Sequence, residues 1–391
     1  MRLLLATAFA LSTLLTACGG GSSGGSGGDA NEQAPSGSNR VSVQFTEPEA
    51  GVVFTTGQPL AVAARVTADG ANAADGTAVQ FSTASVSASG MTSAGLATAS
   101  LSGVPAGRQS LQATAVAGGS TASTTRTVYL RPAPSALQVL LPAYFYPTGS
   151  GATAWAAMIA GAAAYPGARI TAILNPSNGP SSSADSIIAS TASSFVNAGG
   201  QLVGYVKTGW GQRSASTVKN EIDAYFSYYP GLIRGIFLDQ MAATSTELAF
   251  YEDVYQYIKA KDSSLLVIGN PGAIPVADYA QATDVLATFE GKGSTYASYD
   301  PRTLATDWVY TQSNAKQGAL IHNVADCAAM QTALQAAASA RNQAGWVYMT
   351  DREYEPSTGV GNPWGGLPTY WTALLDAVQR TNAGQALAPC A

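Results

Sequence analysis

Eight short apolar runs, each trailed by a stretch with helix potential, dominate the chain beyond residue 136. They read LQVLLPAYFY from 137, ARITAILN from 168, QLVGYV from 201, LIRGIFLD from 232, LLVIGN from 265, DVLATFE from 284, QGALIHN from 317 and GWVYMTD from 345. Runs that are apolar at successive positions suit strands buried on both faces, which only a parallel sheet covered by helices provides. Eight such units in about 250 residues are the pattern of a closed (β/α)8 TIM barrel, assigned here to residues 137–391. An open doubly wound sheet usually carries fewer strands, and no G-x-G-x-x-G follows the first run.

Residues 41–131 have a different period. VSVQFTEP, PLAVAARVTAD, AVQFSTA, GLATASLSG, SLQATAVA and RTVYL are short and β-branched, with frequent alternation and turn residues between them. This predicts an all-β sandwich of Ig-like type, similar in general pattern to Ig-like modules of bacterial surface proteins. It has no cysteine and no charged or aromatic cluster, so a spacer is its simplest role. Residues 132–136 read as a stiff Pro-rich linker. The fold class is therefore multidomain, an N-terminal sandwich followed by a barrel.

The first 18 residues, MRLLLATAFALSTLLTAC, have one arginine and an apolar core too short to span a bilayer, which fits an export signal over 1–17. LLTACGGG resembles a bacterial lipobox, and that resemblance implies cleavage before Cys18 and lipidation of its sulfur. Residues 18–40 would then be a Gly/Ser-rich tether, in which a G-x-S-x-G match at Gly20–Gly24 lacks the strand and helix a nucleophile elbow needs. The expected location is the cell envelope, lipid-anchored at the outer membrane or cell surface, as a monomer. After export Cys327 and Cys390 meet an oxidising compartment and are candidates for a disulfide, which spacing alone does not decide. A net charge of −5 and the lack of a Lys/Arg cluster argue against nucleic acid as a partner.

In a barrel of this kind chemistry sits where strands end and loops begin. The ends of the eight runs supply Tyr144 and Tyr146, Asn175, Tyr205 with Lys207 and Thr208, Asp239 with Gln240, Asn270, Glu290, His322, and Tyr348 with Asp351. Of these, the tyrosines and acids carry more information than the asparagines. Trp210, Trp308 and Trp364 fall in or near the same loops and offer ring faces to sugars or pack as lids.

Asp239 could cap the next helix, but TSTE places Thr244 and Glu247 in a capping-box pattern ahead of an apolar face of Leu248, Tyr251, Val254 and Ile258. Glu290 could pair with Lys292 or Arg302. Otherwise the two acids end strands four and six, roughly 9 to 10 Å apart along the wall. With side chains turned inward, a separation of roughly 5 to 9 Å suits carboxylates flanking a glycosidic bond, without deciding between retention and inversion. His322 is the single histidine, so neither a metal site nor a Ser-His-Asp triad is supported, and no cofactor is implied.

LLPAYFYPTG, ILNPSNGP, GYVKTGWGQR, GIFLDQ, VIGNPG and ATFEG, in that order and at barrel spacing, resemble the spherulin-4-like glycoside hydrolases over about 137–380. The resemblance implies a barrel that hydrolyses galactosamine-containing exopolysaccharides such as galactosaminogalactan, cutting within α-1,4-linked N-acetylgalactosamine, with the biofilm polysaccharide Pel a related substrate class. It places Asp239 and Glu290 at the catalytic carboxylates. The family's strand four usually ends Asp-Glu, and here Gln240 takes the second place; an amide neither ionises nor donates a labile proton. Three expectations follow: Asp239 and Glu290 suffice, with Gln240 contacting sugar; the substrate's acetamido group attacks with Asp239 orienting it; or the barrel is a non-catalytic polysaccharide-binding or adhesion protein. In the catalytic readings Glu290, on the more apolar strand, is the acid/base and Asp239 stays ionised, although the roles could be exchanged.

Overall fold

The computed structural model describes residues 40–390. The signal over 1–17, Cys18 and all but the last residue of the tether lie outside the described residues.

The first domain is a strand-rich sheet built from β1 (Val41–Glu47), β2 (Val53–Thr55), β3 (Leu60–Ala68), β4 (Ala71–Asn72), β5 (Ala78–Ser82), β6 (Ser87–Ser93), β7 (Leu96–Leu101), β8 (Gly107–Ala117) and β9 (Ser120–Arg131). The strands run in the order β1-β3-β7-β6-β5-β8-β9-β2, with β4 beside β3. Alternation decides which faces meet: Leu111, Ala113 and Ala115 of β8 are buried with Phe45, Val62, Val79 and Phe81, while Gln112 and Val116 face solvent. β8 turns into β9 through Gly118 and Gly119, at φ 55° and 79°, the backbone that a two-residue hairpin loop requires and glycine supplies.

The second domain is a closed parallel barrel of β10 (Gln138–Ala143), β11 (Ile170–Leu174), β12 (Gln201–Lys207), β13 (Ile233–Asp239), β14 (Leu266–Gly269), β15 (Val285–Lys292), β16 (Gln317–His322) and β17 (Trp346–Met349). Closure is direct, with Val139 of β10 paired to Val347 of β17. All eight apolar runs became strands because both of their faces are covered; Ile236, Phe237 and Leu238 are fully buried.

The helical half is less regular than expected. α1 (Ser150–Ala164), α2 (Ser186–Asn197), α3 (Ala215–Tyr228), α4 (Leu248–Lys261), α6 (Cys327–Ala338) and α7 (Trp371–Asn382) are full helices, but α5 (Gly293–Tyr296) is a single turn. After β14 there is only a 3₁₀ turn, Ala277–Gln281. Pro271 and Pro275 lie in that connection, where a helix would lose amide donors.

The expected capping box is also not formed. Thr244 precedes a 3₁₀ turn, Ser245–Glu247, and its hydroxyl donates to the Glu247 carboxylate at 3.1 Å rather than accepting from backbone. α4 starts at Leu248 without a side-chain cap, with Tyr251, Val254 and Ile258 on its buried face.

Cys327 at the start of α6 is bonded to Cys390. The stretch 132–136 is clamped: the Ser135 N–H donates to Asn314 Oδ1 at 2.7 Å, and Asn314 Nδ2 returns a bond to the Ser135 carbonyl at 2.9 Å. Just before it, Arg131 is buried, with its guanidinium 5.0 Å from the Tyr310 ring centre and Nη1 donating to the Asn342 carbonyl at 2.8 Å. Tyr129, Val309 and Tyr310 form a small apolar core between the domains, with Trp308 packed against it. Trp308, expected near the barrel mouth, therefore belongs to this junction.

Candidate active site

β13 carries its buried run out to Asp239, and the chain then turns sharply. Gln240 has φ 51°, a left-handed conformation that costs an ordinary residue about 1–2 kcal/mol. Its carbonyl accepts from the Trp210 N–H at 2.6 Å and lies 2.7 Å from the Thr208 hydroxyl. Thr208 is fully buried, and its hydroxyl also lies 2.9 Å from that of Tyr251, which accepts from the Ala242 N–H. On the other side the Met241 N–H donates to the Asn270 carbonyl at 3.0 Å. Backbone bonds from both neighbouring strands thus hold the turn that aims Asp239.

Asp239 does not cap a helix. Its Oδ2 accepts from the Tyr205 hydroxyl at 2.6 Å and its Oδ1 from Asn270 Nδ2 at 2.8 Å. The same Asn270 nitrogen donates to Glu290 Oε2 at 2.5 Å. Asn270 Oδ1 accepts from the Gly272 N–H at 3.2 Å, which orients the amide so that its two hydrogens face the two acids. The acid oxygens are joined through one atom, which limits their separation to the sum of those two bonds, about 5.3 Å.

Glu290 lies within β15, which continues two residues beyond it to Lys292. Burial, reinforced by the negative charge of Asp239, pushes its pKa up to about 7, against the opposing hydrogen bonds of Asn270 and Trp364. Neither expected ion pair forms, since Lys292 pairs with Glu355 and Arg302 with Asp300. A group poised near neutrality fits proton transfer better than a structural salt bridge.

The remaining strand-end residues divide. Tyr144 is half-buried with its ring edge against Tyr205 at 5.4 Å, and burial together with Asp239 raises its pKa, so its hydroxyl stays protonated. Lys207 stands in register with Asp239 across β12 and β13. His322 is buried, bonded through Nδ1 to Asn323 Oδ1, and packs against Tyr354 and Trp364; burial lowers its pKa and keeps it neutral. Tyr348 is fully buried against Trp364.

Other residues are engaged elsewhere. Tyr146 is 41% exposed and donates to Asp185, the N-cap of α2. Asn175 closes its own turn by accepting from the Gly179 N–H at 2.9 Å, and Asp351 accepts from Thr369. Thr208 supports backbone from a buried position. A cavity of about 340 Å³, lined in part by Phe145, Arg352, Leu367 and Trp371, contains neither acid.

Two functional contacts were not legible. Asn270 is one of several strand-end asparagines in the sequence, yet it couples both acids; Trp364 is one aromatic among several, yet its indole reaches Glu290. A VIGNPG stretch pairing a strand-end asparagine with Gly272 is the signal that hints at the first. Among the described residues, no cluster of three or more His, Cys, Asp or Glu suits a metal ion, and no helix is long and apolar enough to cross a membrane.

Parallel strands closed into a barrel, with carboxyl groups from β13 and β15 bridged by an asparagine that follows β14 between them, define a barrel protein with a paired-acid site at the mouth. The chain belongs to the Spherulation-specific family 4, which matches residues 138–378. Spherulin-4 of Physarum polycephalum is 39% identical over 168 residues, 42% of this chain and 48% of that protein, so the match spans about half of the relative. The fold is shared with Sph3 of Aspergillus clavatus, whose crystal structure is a complex with GalNAc: the TM-score is 0.50 at 22% identity, over 62% of this chain and 98% of that one.

Proposed function

We propose that the barrel is a glycoside hydrolase acting on a polysaccharide that contains N-acetylgalactosamine or galactosamine, in the manner of an endo-α-1,4-N-acetylgalactosaminidase. The observation that carries this reading is the Asn270 bridge between Asp239 and a Glu290 whose pKa is about 7. The GalNAc bound to Sph3, a protein of the same fold, supports the choice of sugar.

Glu290, protonated, gives its proton to the glycosidic oxygen as the bond from that oxygen to the anomeric carbon breaks. Asp239, accepting from Tyr205 and Asn270, attacks or steadies the anomeric carbon on the opposite face. Water, deprotonated by Glu290, then releases the sugar. Acid oxygens held within about 5.3 Å of each other favour this retaining course, because inversion needs room for a water between them. Were the substrate's acetamido oxygen to attack instead, Asp239 would orient it and Glu290 would act unchanged.

Gln240 keeps a second reading in play, that of a non-catalytic polysaccharide-binding or adhesion protein, since its amide cannot supply a third acid. We further propose that the N-terminal domain is an Ig-like spacer and that the protein is exported and held to the cell envelope through lipid on Cys18. Incubation of the protein with purified polysaccharide, measured by new reducing ends, separates the first two readings. Release by wild type and by neither Asp239→Asn nor Glu290→Gln supports the enzyme; binding without release by wild type establishes the adhesin.

A further inference from the structure

We infer that Trp210 is a stacking platform for the sugar ring next to the one held between Asp239 and Glu290, an inference that rests on the glycosidase reading above. Of the six tryptophans, Trp210 alone is exposed, at 60%; the other five are buried or half-buried in the cores. Exposure alone would be unremarkable for a single aromatic side chain; what sets Trp210 apart is the loop that carries it.

The backbone around it is built to hold it still. Gly209, Trp210 and Gly211 follow one another in the left-handed region at φ 58°, 54° and 79°, a conformation free of cost for the two glycines but foreign to a bulky residue, so Trp210 is held in it by its surroundings. The Trp210 N–H is fastened to the Gln240 carbonyl at 2.6 Å, one residue from Asp239. The Gln212 N–H donates to the Gly209 carbonyl at 3.0 Å, and Arg213 ties the end of the loop to the Lys207 carbonyl and to Glu221. A side chain at Gly211 would collide with Glu247 beneath it, 2.7 Å from a Cβ.

Sugars are polar at their rims, but a pyranose ring presents C–H bonds on its face, and that face packs on an aromatic ring. A platform already fixed before the polymer arrives loses little conformational freedom on binding. The turn at Gln240 therefore does two things: it aims Asp239 and, through its carbonyl, sets the position of the Trp210 backbone. Gln240 acts here through its main chain, which a glutamate could supply equally.

The test uses the full-length protein carrying Glu290→Gln, so that substrate is bound without being cut, with long N-acetylgalactosamine oligosaccharides and free N-acetylgalactosamine as probes. Adding Trp210→Ala is expected to weaken oligosaccharide binding roughly tenfold while leaving monosaccharide affinity and melting temperature in place. Trp210→Phe, which keeps a ring, should restore most of the loss. Equal oligosaccharide affinity with and without Trp210 overturns the platform and leaves the glycosidase reading standing, as does a matching loss for the monosaccharide. If the parent Glu290→Gln protein binds neither probe while remaining folded, the sugar-binding reading falls and the platform with it.

Discussion

Asn270 joins Asp239 to Glu290 through a single amide nitrogen, at 2.8 and 2.5 Å, so the two acids cannot be perturbed independently. Its hydrogen bond holds the Glu290 pKa down while burial and the Asp239 charge hold it up. In Asn270→Ala the restraint is gone and the pKa rises above about 7. With Glu290 as the acid, as proposed above, activity is lost as pH climbs through that pKa, and the alkaline limb of kcat/KM in Asn270→Ala should move to higher pH. A limb that stays put or moves down would show that the bridge does not tune Glu290.

Asp239→Asn has the opposite sign. Removing that negative charge lets the Glu290 pKa fall toward the ordinary carboxyl range, measurable by carboxyl-carbon NMR titration of selectively labelled glutamate. Glu290→Gln, by contrast, should lower kcat by roughly 10²–10⁴, the usual contribution of a positioned acid, in a reducing-end assay.

The raised Glu290 pKa also makes stability depend on pH. Between its ordinary value of 4.5 and about 7 the folded protein binds more protons at this site than the unfolded chain, so its contribution to stability falls as pH rises through that window. Glu290→Gln does not titrate. Its melting temperature should match that of wild type near pH 4 and exceed it near pH 8, by the equivalent of about 1–3 kcal/mol. A gap that is larger at the acid end than at the alkaline end contradicts the burial of Glu290 as a neutral acid.

The Cys327–Cys390 bond closes a loop across 63 positions and brings the C-terminal tail to the start of α6, where Gln331 also donates to the Ala388 carbonyl. Cys390→Ser should lower the unfolding free energy by about 2–4 kcal/mol in a denaturant titration. The same loss should follow from reducing the wild type, and reduction should do nothing further to the variant.

The strands were legible because covering both faces leaves each no choice but an unbroken apolar run, as in Ile236 to Leu238. Asp239 and Glu290 could be picked out because carboxyl groups at the ends of such runs have few apolar uses. The Asn270 bridge was not legible, since it depends on how adjacent strands align and on a Gly272 N–H that orients the amide. Trp364 reaches Glu290 from beyond the last strand, a contact that exists only once the barrel has closed. The missing helix after β14 is foreshadowed by Pro271 and Pro275, which lack the amide donors a helix there would need.

Arg131 points to how the two domains are joined. Its guanidinium is stacked on Tyr310 and bonded to the Asn342 carbonyl, and Ser135 is paired with Asn314 a few residues after it, so the passage from sheet to barrel is held by side chains on both sides of the linker. The sheet domain is thus joined to the barrel by a stacked guanidinium and a reciprocal amide pair as well as by the chain itself, so separating the two would expose a buried cation.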